Sequence, residues 1–84
     1  MYQPRILVVD DEEIMRTMAM RMLEDLGYTV YSCNDGEDAA AFYRRRHSEI
    51  DLVIIDMIMP RMGGYDCVNI LKEVNPHVKV IIST

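Results

Sequence analysis

Four oxygen-bearing side chains stand where apolar runs of this 84-residue chain end. Asp10 and Asp11 close Arg5-Ile6-Leu7-Val8-Val9, Asp56 closes Leu52-Val53-Ile54-Ile55, and Thr84 follows Val78-Lys79-Val80-Ile81-Ile82-Ser83. If those runs are parallel neighbouring strands, three carboxylates and a hydroxyl meet at one edge of a sheet. Like charges that close repel strongly in a partly desolvated site, so either one acid is protonated or a cation sits among them. Oxygen donors without Cys or His select a hard ion, Mg2+ or Mn2+, that keeps waters for a phosphate to displace. Carboxylates, divalent ion and hydroxyl together form a phosphoryl-transfer arrangement, in which Asp56 can act as nucleophile and give an aspartyl phosphate. Position alone would also allow an Asp56 that merely ends a strand; the rest of the chain argues against that.

The elements that would position these groups follow from the hydrophobic pattern. Leu52 to Ile55 and Ile6 to Val9 are continuous and largely β-branched, as suits strands buried on both faces in the middle of a parallel sheet. From about Glu13 to Leu26, Ile14, Met18, Met22 and Leu26 recur every four residues, flanked by Met15, Ala19 and Leu23. That is one broad helical stripe, expected to fill core, with Gly27 as its stop. Thr29 to Cys33 alternates and reads as a strand near an edge. Asn34 or Asp35 caps the next helix, with Glu37 in a capping-box position, Ala39, Ala40 and Tyr43 inward, and Arg44-Arg45-Arg46 as a solvated C-terminus facing its own dipole. Pro60 and Gly63-Gly64 mark an ordered loop after Asp56. A third helix, Gly64 to Val74, turns Tyr65, Val68 and Leu71 inward, and a fourth strand covers Val78 to Ser83. The order β-α-β-α-β-α-β predicts an α/β fold, a doubly wound parallel sheet joined by right-handed crossovers. With strand order 2-1-3-4, strands 1 and 3 are neighbours where the winding reverses, the crevice in which such folds bind ligands.

Composition bounds the partners. Nine Lys plus Arg against 14 Asp plus Glu give a net charge of −5, which argues against direct binding to nucleic acid or an anionic membrane. The start, Met1-Tyr2-Gln3-Pro4-Arg5, lacks a signal-peptide shape, and no apolar run approaches the roughly 20 residues that span a bilayer. Cys33 and Cys67 form no CxxC pair and read as reduced, buried thiols of a cytoplasmic protein. Half of the residues are hydrophobic, a globular composition large enough for one small domain, residues 1–84.

Asp10-Asp11 after the first strand, Asp56-Met57-Ile58-Met59-Pro60-Arg61-Met62-Gly63-Gly64 after the third, and Ser83-Thr84 after the fourth resemble the response-regulator receiver domain of two-component signalling. The resemblance covers the whole chain and implies a flavodoxin-like fold. It implies that Asp56 is the phosphoacceptor, taking a phosphoryl group from a phosphohistidine on a sensor kinase or phosphotransfer protein. Asp11 then matches a direct Mg2+ ligand, Asp10 a ligand largely through water, and the Ile58 backbone carbonyl a third protein ligand. Thr84 matches the hydroxyl that moves onto the phosphoryl oxygen when the domain switches. The apolar Ile58 side chain occupies a position that tunes phosphoryl lifetime in the family and cannot itself orient an attacking water. Such a domain is a signalling phosphoacceptor, at most catalysing its own phosphorylation and dephosphorylation. Receivers are expected to continue for roughly 35 to 40 residues beyond the matched motifs, with a fifth strand carrying a lysine and an aromatic switch residue, and two more helices. The chain therefore resembles the first two-thirds of a receiver, with its fourth strand as an open edge suited to self-association.

Three other readings compete. A dinucleotide-binding half-domain also begins β-α-β, but needs a glycine-rich first turn where this chain has Asp10-Asp11-Glu12-Glu13, which would repel a pyrophosphate. A haloacid-dehalogenase-type phosphatase resembles D-x-D, and Ile58 stands where its second acid belongs. A receiver-like interaction or assembly module that is not phosphorylated would keep the fold without the chemistry, yet Asp10, Asp11 and Asp56 are all present.

Overall fold

A computed structural model describes residues 3–59 and 62–83 of the chain. The order is β1 (Arg5–Val9), α1 (Glu13–Asp25), β2 (Thr29–Cys33), α2 (Gly36–Arg46), a 3-10 turn (His47–Glu49), β3 (Leu52–Asp56), α3 (Gly64–Val74) and β4 (Val80–Ser83). All pairings are parallel and the strand order is 2-1-3-4. This is the predicted α/β architecture with three helices. Val8 lies beside Ile54 and Val9 beside Ile55, while Asp56 lies beside Ser83. The two central strands therefore end level with one another, and their acids emerge at one edge.

The pleat divides the sheet into unequal faces. Leu7, Val9, Val53 and Ile55 share one face and pack in a single cluster with Ala39 and Tyr43 of α2 and Cys67 and Leu71 of α3. Full burial of one such side chain contributes about 1.5–3 kcal/mol, so this layer supplies most of the core. The other face carries Ile6, Val8 and Ile54 and is covered by α1, which touches β1 and β2. Ile6 and Val8 are buried there, but Ile54 is only half buried and Ile81 of β4 is exposed. The expectation of burial on both faces holds for β1 and only partly for β3, because α1 does not extend over β3 and β4.

The stripe on α1 divides for the same reason. Arg16, Ala19, Met20 and Leu23, at helical spacing, are half buried on the side toward the sheet. Ile14, Met15, Met18, Met22 and Leu26 form an adjoining arc that faces solvent, and Ile14 is 76% exposed. The expected core filling is thus corrected: no residue of α1 is fully buried. Strand β4 lies at the edge of the sheet, as expected.

Helix ends follow local rules. Gly27 takes φ 98°, its N–H donating to the Glu24 carbonyl at 2.9 Å while Tyr28 N–H donates to Leu23 at 3.1 Å, a Schellman stop that favours glycine. Of the two candidate caps of α2, Asp35 serves: its Oδ1 accepts from Asp38 N–H at 2.8 Å. The third helical position is then Asp38, so Glu37 does not occupy the capping-box place. Arg46 is not simply solvated. Its guanidinium lies 4.7 Å from the Tyr31 ring centroid and 5.3 Å from that of Phe42, and bonds both carboxylate oxygens of Glu49. Tyr65, expected to face inward on α3, is instead 62% exposed, and Cys67 is buried there with Val68 and Leu71. Cys33 and Cys67 are free and buried, and burial first of all pushes each thiol up to about 11. Strand β4 begins at Val80 rather than Val78, whose N–H closes a turn onto the Asn75 carbonyl at 3.0 Å.

Candidate phosphoryl and cation site

The site begins with the chain leaving β1. Asp10 is tied at three points: its N–H donates to the Cys33 carbonyl at 3.2 Å, its carbonyl accepts from Arg16 Nη1 at 2.7 Å, and its Oδ1 accepts from Glu12 N–H at 2.9 Å. These bonds hold Asp10 half buried with one carboxylate oxygen uncommitted, while Asp11 projects exposed beside it. The first turn of α1 closes through Arg16 N–H to the Glu12 carbonyl at 2.9 Å.

Asp56 is presented by β3 in the same manner. Its Oδ1 accepts from Ile58 N–H at 3.2 Å, an Asx-type turn that leaves the second oxygen free. Beyond it the loop is held by Met57 N–H to the Ser83 carbonyl at 3.0 Å and by Gly64 N–H to the Met57 carbonyl at 2.9 Å. Gly64 sits so close that an added Cβ would lie 2.8 Å from both the Asp56 carbonyl oxygen and Met57 Cα. At Gly63, the N-cap of α3 with φ −68°, a Cβ would meet only the Met57 carbonyl oxygen at 3.7 Å. Within the Gly63-Gly64 pair the steric need for glycine therefore lies at Gly64.

One carboxylate oxygen from each of Asp10, Asp11 and Asp56 lies within 4.8 Å of the others. They border an open depression of about 390 Å³, also lined by Glu12, Met15, Ile58 and Ser83. The two ion pairs among the described residues, Arg5–Asp51 and Arg46–Glu49, lie elsewhere, so no described basic side chain is paired with the three acids. Three hard, negatively charged donors at this spacing, with room for water beside them, fit a Mg2+-sized ion. They do not fit a soft or borderline metal, which would call for Cys or His.

The predicted site residues Asp10, Asp11 and Asp56 are thus brought together, with Ile58 at the rim, 80% exposed. Thr84 and Pro60 lie outside the described residues. Arg16 was not singled out in the sequence, because α1 carries other polar residues, Thr17, Arg21 and Glu24 among them, and only packing fixes which arc meets the sheet. Gly64 and Ser83 were read as parts of the Gly63-Gly64 and Ser83-Thr84 motifs, but the close backbone approach of the one and the cross-strand place of the other are tertiary facts.

Comparison with known proteins places this geometry among relatives. The sequence model described as "Response regulator receiver domain" matches residues 6–84. The autoinducer 1 sensor kinase/phosphatase LuxN of Vibrio campbellii is 33% identical over 78 residues, which are 93% of this chain and 9% of LuxN. A crystal structure of a response regulator receiver domain protein from Clostridium thermocellum superposes with TM-score 0.92 at 33% identity, covering 94% of this chain and 63% of that one. CheY in a CheX–CheY–BeF3–Mg2+ complex from Borrelia burgdorferi gives TM-score 0.90 at 28% identity, covering 94% and 60%. The chain therefore spans a small part of LuxN and less than two-thirds of either solved chain.

Proposed function

Because the chain belongs to the response-regulator receiver family, modules of two-component signalling, we propose that it accepts a phosphoryl group on Asp56, with Mg2+ (or Mn2+) held by Asp10, Asp11 and Asp56 and by the Ile58 carbonyl. The observation that carries this reading is the cluster of three carboxylates at the ends of β1 and β3. Asp56 is suited to be the nucleophile: it lines the depression, Ile58 N–H holds one oxygen, and the other accepts no bond from a described residue. That oxygen attacks phosphorus in line as the donor's P–N bond breaks, and the nitrogen leaves with a proton. When bound, the cation supplies charge neutralisation for the phosphoryl oxygens. Thr84, next after the Ser83 that flanks Asp56, is the hydroxyl assigned to the phosphorylated state. Pro60 and Gly63 shape the loop.

The donor is a phosphohistidine on a sensor histidine kinase or phosphotransfer protein, a partner class consistent with the sensor kinase named among the relatives. The chain acts as a phosphoacceptor, catalysing only its own phosphorylation and dephosphorylation. Its acidic charge of −5 makes nucleic acid and anionic membranes unsuitable as direct partners, and no described helix is long and apolar enough to cross a membrane. We assign it to the cytoplasm. A second reading, an assembly module that self-associates without phosphorylation, is favoured by the exposed arc of α1 and the open edge of β4.

Phosphoramidate, whose P–N bond matches that of phosphohistidine, tests the first reading. After incubation with Mg2+, borohydride trapping and peptide mapping are expected to find the acyl phosphate at Asp56. Modification that maps elsewhere, or survives in Asp56→Asn, overturns it.

A further inference from the structure

Arg16 is the one basic residue on the arc of α1 that faces the sheet, where Ala19, Met20 and Leu23 are its neighbours. Its side chain runs back to the mouth of the site and donates from Nη1 to the Asp10 main-chain carbonyl at 2.7 Å. The Arg16 main chain reaches the same turn, N–H to the Glu12 carbonyl at 2.9 Å. Glu12 N–H in turn binds the Asp10 carboxylate at 2.9 Å. One residue thus braces both ends of the turn that carries Asp10 and Asp11. A guanidinium so near an acidic cluster would ordinarily pair with a carboxylate; here it binds a neutral carbonyl, and the acids have no ion-pair partner among the described residues.

We propose that Arg16 is a positioning residue for the acidic site, fixing the β1–α1 turn through the Asp10 carbonyl so that Asp10 and Asp11 are preorganised and still carry their full charge for the cation. This rests on the Mg2+ reading above. The short, charge-assisted bond suits the role, because groups that orient ligating residues govern metal affinity strongly without touching the metal. The sign of the effect separates positioning from simple electrostatics. A guanidinium acting only as a nearby positive charge would repel Mg2+, and its removal would tighten binding. A brace makes its removal loosen binding.

The test compares this chain with Arg16→Met and Arg16→Lys. Three quantities are read: Mg2+ affinity by NMR titration, exchange of the Glu12 amide in EDTA, and denaturant unfolding. Arg16→Met is expected to bind Mg2+ about tenfold more weakly, with faster Glu12 exchange, at a temperature where unfolding shows both proteins native. Arg16→Lys keeps the charge but not the fork and is expected to fall between them. Affinity of Arg16→Met within twofold of the parent or tighter than it, a limit well inside the usual cost of losing such a group, overturns the proposal. If Arg16→Met does not fold, Arg16→Lys decides: weaker Mg2+ binding than the parent supports the brace, and unchanged affinity overturns it. Should the parent itself bind no Mg2+, the cation reading fails, and Glu12 exchange alone decides whether Arg16 holds the turn.

Discussion

At the scale of single residues, the site depends on close approach as much as on charge. Gly64 begins α3 against the backbone of Asp56 and Met57, with no space for a methyl group. Gly64→Ala is expected to push the loop away from Asp56 and to destabilise the chain by about 1–3 kcal/mol, since the contacts are backbone atoms that cannot rotate aside. Gly63→Ala, with an ordinary 3.7 Å contact, serves as the control, and urea unfolding of the two variants distinguishes them. Similar losses at both positions would show that the loop, and not the contact, sets the requirement. The three acids were legible in the sequence because each ends an apolar run, and parallel strands bring such ends to one edge. The part played by Arg16 was not, because its bond to the Asp10 carbonyl depends on how the β1–α1 turn folds back on the helix.

At the scale of elements, the order of strands and helices along the chain, the helix limits and the Gly27 stop were readable from periodicity and punctuation, and α3 has the bounds expected of it. The order of strands within the sheet entered as an assumption and is the one observed. The orientation of α1 was not readable. Its apolar residues cover so wide an arc, from Ile14 through Leu26 to Leu23, that the pattern cannot say which part meets the sheet. The sheet contact selects Ala19, Met20 and Leu23 and leaves the methionines at 15, 18 and 22 outside. Tyr65 on α3 was misassigned by the same ambiguity, the smaller Cys67 having the buried place. Helix α2 offers a clean test of a local rule, since the Asp35 side chain caps it through Asp38 N–H at 2.8 Å. Asp35→Ala is expected to cost about 1 kcal/mol, whereas Asn34→Ala, removing the other sequence candidate, should leave unfolding midpoints nearly unchanged. Equal losses would reassign the cap.

At the scale of the whole molecule, one sheet face is sealed by α2 and α3 while the other has α1 alone. Ile14, Met15, Met18, Met22 and Leu26 on α1 and Ile81 on β4 therefore remain exposed, beside the edge strand β4, which pairs with β3 alone among the described residues. Apolar patches beyond a few hundred Å2 and open edges both favour association. This 84-residue chain is expected to show concentration-dependent mass in light scattering, reduced in Met18→Lys/Met22→Lys. A concentration-independent monomer would show that the open face does not drive pairing. The central claim, that Asp10, Asp11 and Asp56 from two strands act as one cation site, is tested most directly by an NMR titration with Mg2+. Asp11, Asp56 and Ile58 amides are expected to shift together along one isotherm of about millimolar strength, near −4 kcal/mol, and Asp11→Asn to abolish most of the response. Amides at the two strand ends that shift independently, or remain still, would contradict it.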